Sequence, residues 1–159
     1  MTVLLLESGD TALLRALMNV FGDAFEDRAT YGAAPPSDGY FEKLLARDSF
    51  IALIALDGDK VVGGITAYDL PKPEQERSEI YLYDLAVAES HRRRGIATLL
   101  IAALQKIAAA RGAWMVFVQA DLGDDPAIAL YTKLGTREDV LHFDIPPSPR
   151  PLASGGEVG

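Results

Sequence analysis

Apolar and polar positions along this chain follow two periods, and the changes of period mark its elements. Residues 3–7 are a short apolar run suited to a first strand. Asp10 stands where it can cap a following helix, and Leu13, Leu14, Leu17 and Phe21 recur at helical spacing as its inward face. From Gly22 to Asp38 the pattern breaks into acidic residues, Tyr31 and the pair Pro35-Pro36, which predicts a loop, and residues 39–46 predict a short helix. Residues 50–56 and 60–70 are β-rich and joined by Asp57-Gly58-Asp59, the signature of a hairpin. Pro71 and Pro73 predict an interruption of regular pairing before the next strand.

The centre of the chain is residues 81–111. A β-rich run, Tyr81-Leu82-Tyr83-Asp84-Leu85-Ala86-Val87, turns through His91-Arg92-Arg93-Arg94-Gly95 into a helix with Ile96, Leu99, Leu100, Ala103, Leu104 and Ile107 on one side. Strict alternation places Glu79, Tyr81, Tyr83, Leu85 and Val87 on one face of the strand, and Ile80, Leu82, Asp84 and Ala86 on the other. Residues 113–120 predict a buried strand after the helix, which makes a strand-helix-strand unit with parallel strands. Asp125 is placed to cap a last helix with Pro126 at its first position, Ala127, Leu130, Tyr131 and Leu134 on one face, and Gly135 at its end. Residues 137–145 predict a closing strand, and residues 146–159, proline-rich and then glycine-rich, a flexible tail.

At 159 residues, 49% hydrophobic and 24% charged, the chain suits one globular domain over residues 1–145. The absence of cysteine excludes disulfides, thiolate metal sites and an acyl-cysteine intermediate. A net charge of −8 argues against nucleic acid as the main partner and favours a cationic one, although solubility alone also accounts for an acidic surface. The first residues lack the basic and apolar runs of a signal peptide or membrane span, so a cytoplasmic location without membrane attachment is expected.

Chemistry concentrates at the strand-turn-helix junction. The first turn of a helix has backbone N–H groups without intrahelical partners and a positive dipole end, so it suits a phosphate. Gly95 lets the backbone come close, Ala97 keeps the turn thin, and Arg92, Arg93 and Arg94 add full charges. A solvated turn and a nucleic-acid contact account equally well for the arginine run taken alone. Neither G-x-x-x-x-G-K-[ST] nor G-x-G-x-x-G is present, which disfavours ATP-type and dinucleotide cofactors. With only His91 and His142, zinc hydrolysis lacks its ligand pattern, and no G-x-S-x-G elbow is present. Asp84, set among Leu82, Leu85, Ala86 and Val87, is a carboxylate that needs either a local partner or a task.

Arg92-x-x-Gly95-x-Ala97 after a run ending Leu85-Ala86-Val87 resembles the acetyl-coenzyme A motif of the GNAT superfamily of N-acetyltransferases, and residues 125–135, Asp-Pro-Ala-Ile-Ala-Leu-Tyr-Thr-Lys-Leu-Gly, resemble its second motif. Residues 78–87, 119–126 and 142–145 further resemble gentamicin 3-N-acetyltransferases, so that the likeness runs from about Phe21 to Ile145. The resemblance implies an α/β (α+β) GNAT fold: a mixed, mostly antiparallel sheet of about six to seven strands, splayed at a bulge in the central strand and flanked by about four helices. It implies a homodimer and acetyl transfer from acetyl-coenzyme A to the 3-amino group of 2-deoxystreptamine aminoglycosides. Leu85, Ala86, Val87, Arg92, Arg93, Arg94, Gly95, Ile96, Ala97, Thr98, Asp125 and Ala129 would then hold the cofactor.

For the chemistry, Asp84 is the first candidate base and Glu79 the second, and Tyr131 the candidate proton donor to the departing thiolate. Asp121, Asp124 and Asp144 would pair with ammonium groups, Tyr81 and Tyr83 would cover the sugar rings, and the loop from Gly22 to Asp38 that leads into the short helix would help wall the acceptor site. Without the resemblance, a polyamine or a peptide amine fits the acidic residues as well, and a non-catalytic acyl-coenzyme A sensor fits the cofactor motif.

Overall fold

The computed structural model describes residues 1–148; most of the expected flexible tail, from residue 149 on, lies outside the described residues. Two compact units divide the chain, one spanning Met1–Asp121 and one from Leu122 onward. In the first, β1 (Thr2–Leu5), β2 (Phe50–Asp57), β3 (Lys60–Lys72), β4 (Arg77–Val87) and β5 (Ala113–Val118) form a single sheet in sequence order. Pairing is antiparallel from β1 to β4, and β4 and β5 run parallel, joined by α4 (Ile96–Arg111), as the strand-helix-strand pattern predicts. This mixed sheet with its helices is the expected fold. Five strands are described rather than six to seven, because residues 137–145 form no strand.

The helices follow their patterns. α1 (Thr11–Ala24) buries Leu14, Leu17 and Phe21 against Phe50, Ala52 and Ile54 of β2, and α3 (Asp38–Leu45) adds Phe41 and Leu45 to that cluster. Asp10 is the N-cap of α1, as expected, but its side chain accepts from the Glu7 N–H at 2.8 Å rather than from a helical amide, and so ties the entry loop. On α4 the buried stripe is Ile96, Leu100, Ile101, Leu104 and Ala108; the predicted stripe is rotated, and Leu99 is exposed. The predicted loop before α3 contains a further turn of helix, α2 (Arg28–Tyr31), capped by the Asp27 side chain. β5 ends at Val118 and is an edge of the sheet, with Trp114 and Met115 exposed, where continuous burial was expected.

Two features of β3 explain departures from simple reading. Pro71 does not break the ladder: it pairs with Ser78, and the hairpin extends to Lys72↔Arg77. The β2 register starts at Phe50↔Tyr68, so Pro71 has a strand on one side only, where a missing N–H is tolerated. Gly64 lies under α1, where an added Cβ would run into the Leu17 side chain and the Leu53 carbonyl oxygen. Its bare backbone is what lets the helix sit so close to the sheet.

The second unit contains α5 (Asp125–Leu134), with Pro126 in its first turn. Its cap is Asp124, one residue earlier than predicted, whose Oδ1 accepts from the Ala127 N–H at 3.3 Å. Among the described residues no helix is long and apolar enough to cross a membrane.

Gly64→Ala is expected to lower the unfolding free energy by about 1–3 kcal/mol through overpacking. Gly39→Ala, in α3 with only the Ser37 hydroxyl near an added Cβ, should leave it unchanged or slightly raised. Urea titration of both variants checks the pair; equal stability for the two would contradict the close approach of α1.

Candidate active site

β4 carries one residue more than its partner. Thr66 faces Asp84 and the next residue, Ala67, faces Leu82, so Tyr83 is a bulge. This changes which side chains share a face. Tyr83 packs on Tyr81 at 5.3 Å and Tyr68 at 5.9 Å, while Asp84 bonds Thr66 and Tyr31, and Ala86 joins the α1 cluster. Tyr81, Tyr83, Asp84 and Ala86 therefore all turn to the α1 side, which corrects the strict alternation and agrees with the bulge that the resemblance implied.

The bulge sets a carboxylate into a largely apolar wall. Asp84 lines a groove open to solvent, together with Leu14, Met18, Phe41, Phe50 and Tyr68. Burial pushes its pKa above the ordinary carboxylate range, opposed by hydroxyl donation from Tyr31 at 3.1 Å and Thr66 at 3.3 Å. Beside it runs an aromatic array: Tyr81 stacks on Phe117 at 4.6 Å and donates to Gln119 at 2.9 Å, and Tyr83 is exposed. Thr66 and Tyr68 had no sequence signal as site residues, and Tyr31 was expected only within a loop at the acceptor site, not as a partner of Asp84. Tyr31 reaches Asp84 across 53 residues of chain, and only the fold brings them together.

The same strand opens on its other edge. The parallel register with β5 stops at Leu82↔Val118, while β4 continues through Leu85 and Ala86 to Val87. β4 then feeds the basic turn. His91 pins that turn to the β2–β3 hairpin through Asp57 at 2.8 Å, and this bond holds the Asp57 carboxyl below its usual range. The Arg92 Nε donates to the Val87 carbonyl at 3.3 Å, and Arg93, like Gly95, has positive φ.

Gly95 is the N-cap of α4 in the left-handed region, with no side-chain cap and nothing within 4 Å of an added Cβ. Arg92, Arg93, Arg94 and Thr98 are exposed, Ile96 is buried and Ala97 is half-buried. Side chains cap α2, α3 and α5, whereas no side chain caps the first amides of α4. That arrangement fits a diphosphate.

The remaining predicted residues lie elsewhere or have local partners. Glu79 is on the same strand, roughly 16 Å from Asp84 at ~3.3 Å per residue. It accepts from the Trp114 indole at 3.3 Å and lies 3.9 Å from the Lys72 ammonium. Asp121 is exposed at the end of the first unit. In the second unit Asp124 is occupied as a cap, Asp125 and Ala129 are exposed on α5, and Asp144 pairs with His142 at 2.8 Å. Burial and the Asp124 charge raise the Tyr131 phenol above its ordinary pKa.

The acetyltransferase (GNAT) family profile matches residues 14–136. Among solved structures the chain is similar to an aminoglycoside acetyltransferase from an uncultured soil metagenomic sample. That match has 56% identity and a TM-score of 0.90, and covers 92% of this chain and 98% of the other. A second soil metagenomic aminoglycoside acetyltransferase, solved in complex with sisomicin, is 32% identical with a TM-score of 0.86, covering 92% and 96%. Rat N-acetyltransferase 8B is 29% identical over 90 residues, 57% of this chain and 40% of the rat protein, so this chain spans well under half of that relative. The chain belongs to the acetyltransferase (GNAT) family, whose enzymes use acetyl-coenzyme A.

Because Asp84 is harder to ionise in the folded chain than in the unfolded one, its charge costs stability at neutral pH, and that cost disappears as pH falls below the unfolded carboxyl pKa of about 3.9. Asp84→Asn should therefore raise the melting temperature at pH 7 and lose this advantage near pH 4. A variant less stable than the parent at pH 7 would contradict the burial argument.

Proposed function

We propose that this GNAT acetyltransferase acetylates the 3-amino group of 2-deoxystreptamine aminoglycosides of the gentamicin type, by direct transfer in a ternary complex. The observation that carries this reading is Asp84, a half-buried carboxylate at the bulge, beside exposed tyrosines and next along the strand from the open edge. Kinship with two aminoglycoside acetyltransferases, one of them holding sisomicin, supports the acceptor class.

Arg92, Arg93, Arg94 and the amides of Ile96, Ala97 and Thr98 would hold the diphosphate of acetyl-coenzyme A, and Asp125 and Ala129 are further candidate cofactor contacts. The cofactor supplies an acetyl group activated as a thioester. The chain supplies the rest. An amine arrives as ammonium at neutral pH, and Asp84 takes its proton, for which a carboxylate of raised pKa is better matched than an ordinary one. Main-chain N–H groups of Leu85 to Val87, beyond the end of the β5 register, would polarise the carbonyl oxygen. Tyr131, kept protonated by its raised pKa, would protonate the departing sulfur. Tyr81 and Tyr83 offer flat faces to sugar rings, and Asp121 and Asp144 offer charge to further ammonium groups. Glu79 remains the alternative base.

Gentamicin, sisomicin, kanamycin and spermidine, each with acetyl-coenzyme A, are the test. Release of coenzyme A with the aminoglycosides and a 3-N-acetyl product by NMR is expected; turnover of spermidine alone would overturn the acceptor class. Asp84→Asn and Tyr131→Phe should each lower kcat by about 10² to 10⁴ fold, whereas unchanged rates in both would overturn their roles.

A further inference from the structure

We propose that Tyr31 is a positioning residue for Asp84: its hydroxyl holds one carboxylate oxygen while Thr66 holds the other, so that the seating of α2 governs how readily the base takes a proton. This rests on Asp84 being the base, as proposed above.

The two oxygens of Asp84 are served separately, Oδ1 by the Tyr31 hydroxyl at 3.1 Å and Oδ2 by the Thr66 hydroxyl at 3.3 Å. An ionised carboxylate oxygen accepts more than one bond, so each keeps a place for the proton of an incoming amine. The other side chains turned toward Asp84 give it no charge to lean on. α1 and α3 present Leu14, Met18, Phe41 and Leu44, β3 adds Tyr68, and β4 adds Tyr81 and Tyr83. Among the described residues no lysine, arginine or histidine forms an ion pair with Asp84. Its charged form therefore depends on two neutral donors.

Tyr31 is held in place from below. Its ring meets Phe21 edge-on at 5.9 Å and lies 5.5 Å from Phe25, both on or just past α1. The Asp27 N–H donates to the Gly22 carbonyl at 3.1 Å, and an added Cβ at Gly22 would meet the Arg28 side chain at 3.2 Å and Tyr31 Cβ at 3.3 Å. Gly22 thus lets α2 sit directly on α1. Burial and the charges of Asp84 and Asp27 keep the phenol protonated far above neutral pH, so Tyr31 donates throughout the working range. A side chain that only filled space would not need its hydroxyl aimed at a carboxylate.

Removing one donor leaves burial less opposed, so the Asp84 pKa must rise. The loss of one hydrogen bond corresponds to roughly one pH unit. The test follows the Asp84 carboxyl by carbon NMR in the substrate-free protein, assigned with Asp84→Asn, and the acid limb of kcat/KM in the parent, Tyr31→Phe and Thr66→Val. In both variants the titration and the limb should move up together by roughly one unit, with activity recovering at higher pH. A Tyr31→Phe protein in which neither moves overturns the role of Tyr31 alone. A titration that moves while the limb stays overturns Asp84 as the base, and the inference with it.

Discussion

One extra residue in β4 sets the geometry of this protein. With Tyr83 accommodated as a bulge, Asp84 turns to the α1 side of the sheet, where Thr66 and the Tyr31 hydroxyl wait for it. The same strand outruns β5 beyond Leu82, which leaves its far edge unmatched as it approaches the basic turn. The Asp84 carboxylate and that open edge are separated by a single step of chain.

The cost of that placement is local and electrostatic. An isolated carboxylate in an apolar wall is unfavourable, and this chain answers it with neutral hydroxyls rather than with an arginine. A cation there would hold the proton affinity too low for a base and would repel an ammonium substrate. The cationic side chains are instead grouped at the turn before α4, where Gly95 opens the helix N-terminus and three arginines remain exposed. Toward the C-terminal end of β4 a carboxylate without a cationic partner and a cationic turn thus lie close together in the chain, a pattern suited to a polycationic acceptor and a polyanionic donor.

Much of this was legible in the sequence where the signal is local. The β2–β3 hairpin, α1, the parallel strand-helix-strand unit and the glycine turn follow from period, turn residues and helix termini, and the GNAT family profile spans residues 14–136, that turn among them. What failed was set by partners remote in sequence. Pro71 stays in a strand because β2 begins too late to oppose it; β5 is exposed because it is an edge. Residues 137–145 have strand-like composition and form no strand among the described residues. At the site, Asp84 stood out as an anomalous charge. Its partner Tyr31 was legible only as part of a loop beside the site, because the bond to Asp84 forms only once the chain has folded back on itself.

The most direct test of the account is a crystal structure of the protein with coenzyme A and sisomicin. The account places the diphosphate on the amides of Ile96, Ala97 and Thr98, the thiol at the β4 edge beyond Tyr83, and an amino group of the drug within hydrogen-bonding distance of Asp84. An amino group held at Glu79 and away from Asp84, or a diphosphate bound away from Gly95, would contradict it.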